Sequence, residues 1–118
     1  MRNFRKLDIW KQGIELVKLV YKLAEKLPST EKFGLQSQIT RASISVPSNI
    51  AEGSSRNSEI EFKRFLEIAL GSLFELETQF ILIEELNYIS SKELEDIFKL
   101  IEKEAKMINT LITKIKTS

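Results

Sequence analysis

The stretch SEIEFKRFLEIALGSLFELETQFILIEELN, residues 58–87, decides the fold. Read at helical spacing, Phe62, Leu66, Ala69, Leu73, Leu76, Phe80 and Ile83 recur in alternating steps of four and three, an apolar seam with no polar interruption. Ser58 is placed to cap the N-terminus, and Glu61 three residues on completes a capping box. Asn87 closes the helix. A helix of roughly 30 residues is about 45 Å long, and a seam of that length needs other long helices to cover it.

Working outward, the preceding segment supplies a second helix, from Phe33 or Leu35 to Ala51, with Phe33, Leu35, Ile39, Ala42, Val46 and Ile50 as its apolar positions, joined by Ile44. Pro47 falls inside that pattern. It removes a backbone donor and crowds the carbonyl four residues earlier, so a kink or break is expected near Ser43 to Val46. The side chains of Ser and Asn nearby, Asn49 among them, are suited to serve the freed carbonyls. Gly53 is expected to stop this helix in the left-handed conformation.

A first helix is expected from an Asp8 N-cap to about Lys26, closed by Leu27 and Pro28. It carries two adjacent seams, one of Trp10, Ile14, Val17, Tyr21 and Ala24, the other of Ile9, Leu16, Val20, Leu23 and Leu27. The last helix starts at a Ser90 or Ser91 cap with Glu93 at capping-box spacing. Its seam is Leu94, Ile97, Ile101, Ala105, Ile108, Leu111 and Ile115, and Lys114 and Lys116 suit its C-terminal dipole. The expected fold is therefore all-α: an antiparallel up-down four-helix bundle with a Pro-kinked second helix, a single domain over residues 1–118.

Composition agrees. A chain of 118 residues with 42% apolar and 30% charged residues can bury one core, and 4 Gly and 2 Pro leave few turns. No basic-then-apolar leader develops after Met1, and no apolar run is long enough to span a bilayer, so a cytoplasmic, membrane-free protein is expected.

Enzymatic chemistry has little to draw on. There is no Cys and no His, which removes the thiolate nucleophile and the commonest base and metal ligand. Helical bundles that hold two metals rely on Glu-x-x-His. Glu75 and Glu77, and Glu84 and Glu85, are too close in sequence to share a face, and no Gly-rich phosphate loop is present. No catalytic residue, metal or cofactor is expected.

Net charge is +1, but it is unevenly spread: residues 1–32 carry 8 Lys/Arg against 4 Asp/Glu, and residues 65–97 carry 1 against 8. Side-by-side pairing of oppositely charged helices accounts for this, and a basic face open to a polyanion is the sharper alternative. On that alternative Arg41, Arg56, Lys63 and Arg64 are the leading phosphate-contact candidates, with Lys18 and Lys22 behind them.

Gly71 disfavours a helix interior by about 1 kcal/mol against Ala, which a close helix crossing would justify. Gly71, Glu75, Thr78 and Leu82 share one face, so Gly71 is expected to admit the kinked second helix, and Glu75 and Thr78 to satisfy its backbone. The motifs SVPSNIAEG (residues 45–53) and GSLFELETQ (residues 71–79), together with the opening Leu7-Asp8-Ile9-Trp10, resemble the four-helix-bundle family encoded in intervening sequences of bacterial 23S rRNA genes. That resemblance extends from Phe4 through the last helix. It implies a homopentameric ring. It also implies kinship with the accessory variability protein of diversity-generating retroelements, which partners a reverse transcriptase and binds nucleic acid, RNA or DNA, through a basic surface. It implies no catalytic residues. An excess of apolar surface (Leu70, Phe74, Ile81 and Leu82 off the central seam) independently favours self-association, and a purely structural or protein-binding oligomer is the alternative reading.

Overall fold

Four helices build the molecule: α1 (Asp8–Ala24), α2 (Leu35–Ser54), α3 (Glu59–Glu85) and α4 (Ser91–Lys114), with short 3-10 turns at Phe4–Lys6 and Ser29–Glu31. The structure is a computed structural model and describes residues 2–115; Met1 and Lys116 lie outside the described residues. The bundle measures 47 × 22 × 21 Å.

Neighbouring helices run in opposite directions. Along α2 and α3, Gly53 lies against Phe65, Ser45 bonds Ser72, and Gln38 meets Gln79. Lys26 pairs with Glu93 and Gly13 abuts Glu104, which fixes the same reversal between α1 and α4. The helices go round in chain order, so α1 and α3 stand at diagonal corners.

The central seam is as its spacing predicts: Phe62, Leu66, Ala69, Leu73, Leu76, Phe80 and Ile83 are all fully buried. The Ser58 hydroxyl accepts the Glu61 N–H at 3.1 Å, and Ser90 accepts that of Glu93 at 3.3 Å. Helix α3 ends at Glu85 with Leu86 as its C-cap, and Asn87 just beyond has a φ of 61°, the left-handed conformation. The Tyr88 N–H returns to the Ile83 carbonyl at 3.1 Å, and the Asn87 N–H to that of Glu84 at 3.0 Å. This is the Schellman arrangement, with Asn in the place Gly more often takes.

Four expectations change. Asp8 is the first residue of α1 rather than its cap; Leu7 holds that position, and the Asp8 carboxylate complements the dipole from the first turn. Phe33 is no part of α2 and is 90% exposed, because the helix begins only after Gly34. There the Leu35 N–H donates to the Glu31 carboxylate at 3.0 Å, which does the work of a cap. Of the kink or break expected at Pro47, the break is absent: α2 stays helical through it to Ser54. Gly53 is not a left-handed stop, since no glycine in the described residues has positive φ. A Cβ on Gly53 would stand 2.7 Å from Phe65 Cβ and 3.2 Å from Phe62 Cδ1, so the glycine is there to let α3 come close.

Candidate functional site

The segment from Ser43 to Gly53 builds a polar seam on the α3 side of α2. Asn49 Nδ2 donates to the Ser45 carbonyl (2.8 Å) and hydroxyl (2.9 Å), and Ser45 Oγ meets Ser72 Oγ at 2.8 Å. Lower down, Gln79 Nε2 donates to Gln38 Oε1 at 3.4 Å. Above this seam Gln38, Arg41, Ala42, Ser45 and Glu75 line an open cleft of about 370 Å³.

Gly71 stands elsewhere than expected. It is exposed, with nothing within 4 Å of the place its Cβ would take, so α2 does not approach there. The close crossing falls one residue on, at Ser72, whose wheel position faces α2. Thr78 Oγ1 donates to the Phe74 carbonyl of its own helix at 2.9 Å, and Glu75 is exposed at the cleft rim. Neither serves α2's backbone.

The six basic candidates do not converge. Arg41 sits at the cleft. Arg56 is held by Glu52 at 3.2 Å, with its guanidinium carbon 5.0 Å from the Phe65 ring centre. Lys63 and Arg64 lie in the first turns of α3 and form no ion pair among the described residues. Lys18, paired with Glu15 at 3.4 Å, and Lys22 lie on α1, diagonal to α3. Sequence reasoning also passed over a lysine row on α4: Lys99, Lys103 and Lys106, at steps of four and three, border a surface depression with Glu102. The spacing alone would have found it.

Between α1 and α2 runs an apolar groove of about 340 Å³, lined by Trp10, Ile14, Val17, Ile44, Pro47 and Ala51. The outward face of α3 is also apolar in part: Ile68 and Phe74 are exposed beside Gly71, Phe74 to 58%, and Ile81 and Leu82 are exposed further along the helix.

The core holds one charged residue among those described. Glu104 on α4 is fully buried and neither of its oxygens has a partner. It occupies the seam place assigned above to Ala105, because the four-three step from Ile97 and Ile101 lands on 104. Burial pushes its carboxyl up to about 8, against a smaller opposing pull from Lys103. At the surface, Lys26 and then Ser90 hydrogen-bond Glu93 and hold its carboxyl below the usual range.

Among the described residues no group of three or more Asp, Glu, His or Cys could hold a metal ion, and no helix is long and apolar enough to cross a membrane. What the geometry defines is an all-α bundle whose distinctive features are surfaces and buried polar contacts. The chain belongs to the 23S rRNA-intervening sequence protein family, whose model matches residues 5–110. It is similar in fold to the 1.70 Å crystal structure of a protein of unknown function from the S23 ribosomal protein family of Bacteroides thetaiotaomicron VPI-5482. The TM-score is 0.83 at 24% identity, over 90% of this chain and 99% of that one. No curated protein matches.

Proposed function

We propose that this protein is a non-enzymatic, homo-oligomeric bundle, a pentameric ring by its family resemblance, that serves as an adaptor for nucleic acid or a nucleic-acid enzyme such as a reverse transcriptase. The observation that carries the self-association is the α3 face around Gly71. An exposed glycine in a helix interior, open on all sides and bordered by Ile68 and Phe74, leaves room for a second copy's helix to pack closely. Sedimentation at micromolar concentration tests it, and a single 13.6 kDa species would refute it.

The adaptor role rests on phosphate contacts from Arg41, Lys63 and Arg64 along α2 and α3, or from Lys99 and Lys103 on α4. Ring symmetry would multiply such contacts. Filter binding of RNA and DNA over a salt series tests this, since affinity through phosphates falls as salt rises. The scatter of the six basic candidates favours a second reading, an oligomer that binds protein alone. Absence of any retained nucleic acid at low salt would select it.

A further inference from the structure

Five buried side-chain atoms among the described residues lack a hydrogen-bond partner, and three of them are Gln12 Oε1 and the two carboxylate oxygens of Glu104. The two residues stand at one level of the α1–α4 pair. Gln12 adjoins Gly13 in α1, and Glu104 Oε2 lies 3.3 Å from where a Cβ on Gly13 would stand. Pro47 of α2 closes the same corner, its own Cβ also 3.3 Å from that point. When Glu104 is ionised all three atoms are acceptors, and acceptors cannot satisfy one another. A single proton on Glu104 turns one of them into a donor. Pro47 adds a further acceptor nearby in sequence, because it cannot give the Ser43 carbonyl its helical N–H.

We propose that Glu104 carries a proton in the folded protein and acts as a pH-sensitive tie, donating that hydrogen to the acceptors of this corner, the Gln12 side-chain oxygen among them, so that its ionisation loosens α4 from α1 and α2. Little around it supports a negative charge. Gly13 and Pro47 face it from α1 and α2, and every other buried residue of α1, α2 and α3 is uncharged. Lys11 and Glu15 on α1 and Arg41 and Glu52 on α2 are exposed. Lys103, its chain neighbour on α4, is the cation that acts on it.

The sign follows from linkage. The folded carboxyl titrates at about 8, above its unfolded value, so the folded chain holds a proton that the unfolded chain has released. The stabilisation is complete below the unfolded pKa and is lost as pH rises through the folded one. Within that window the unfolding equilibrium constant grows on the order of tenfold per pH unit. Without His or Cys, no other side chain ordinarily titrates between pH 6 and 8; an α-amino group does, and comparison with Glu104→Gln subtracts it.

Urea unfolding of the wild type and of Glu104→Gln between pH 6 and 9 tests the tie. The wild-type unfolding constant is expected to rise on the order of a hundredfold from pH 6 to 8, and that of Glu104→Gln, which keeps a donor without a titrating group, to stay level. A level wild-type profile, or an equal slope in both proteins, overturns the proposal. Should Glu104→Gln not fold, carbon-13 carboxyl spectra of the wild type decide instead. One glutamate resonance still protonated at pH 7 supports the tie, and complete ionisation by pH 6 overturns it.

Discussion

The hydroxyls of Ser45 and Ser72 meet at 2.8 Å midway along the α2–α3 pair, and each has a second partner on its own helix. Asn49 donates to Ser45, and Ser72 donates to the Ile68 carbonyl at 3.2 Å. Removing either hydroxyl therefore leaves the other with one bond, so Ser45→Ala or Ser72→Ala should each cost about 1 kcal/mol. A double-mutant cycle by urea unfolding should return a coupling of about 0.5 kcal/mol or more. Strictly additive losses would mean that the contact contributes nothing.

Gly53 and Gly71 should respond oppositely to alanine. At Gly53 the new Cβ would meet Phe65 Cβ at 2.7 Å, with α3's backbone close behind, so Gly53→Ala should destabilise by about 1–3 kcal/mol. At Gly71 the space is open and helix propensity alone acts, so Gly71→Ala should stabilise the isolated subunit by up to about 1 kcal/mol. Thermal unfolding of the two variants side by side reads both signs.

Phe74→Glu places a charge on the outward face of α3. The side chain is mostly exposed within the subunit, so the fold should survive with a stability change of roughly 1 kcal/mol or less. The assembly should not survive, and the sedimentation coefficient should drop to that of the monomer. An unaltered coefficient would move the subunit contact elsewhere.

Glu93 supplies a pH dependence of the other sign. Its carboxyl is held low by Lys26 and then Ser90, so the stability it lends is present above the ordinary carboxylate pKa and disappears as pH falls through the lowered one. Lys26→Met should therefore weaken the protein at neutral pH and shrink its sensitivity to acid. Acid unfolding monitored by circular dichroism from pH 6 to 2 checks this.

The sequence disclosed the bundle because apolar residues at four-three spacing fix which face of each helix is buried. Caps at Ser58 and Ser90 and the stop at Asn87 were equally legible, being local chemistry. Long-range relations were not. Gly53 and Gly71 look alike in the sequence, yet one lies under Phe65 and the other opens to solvent, and only the crossing geometry of α2 and α3 separates them. Phe33 counted as core because its spacing suited α2, whereas Glu31 starts that helix two residues later. Glu104 is hard to see in the sequence because the four-three register after Ile101 admits apolar Ala105 as readily as position 104. Two traces of it were present: the inner seam of α1 skips from Ile9 to Leu16 over Gly13, and the α4 register passes through position 104. For the basic residues the sequence carries charge and nearness in the chain, neither of which reveals that α1 and α3 stand at opposite corners.

The reversed pairing of α2 and α3 also bears on how the chain reaches this shape. Gly53 with Phe65, Ser45 with Ser72 and Gln38 with Gln79 are nested about one short loop, so each pair once made shortens the span the next must close. Assembly can zip outward from Ser55–Ser58 at small entropic cost per step, and a topology so rich in near-sequence neighbours belongs with the fast folders, in the microsecond-to-millisecond range. Helices α1 and α4, whose meeting joins sequence-distant ends, then have a finished hairpin to dock on.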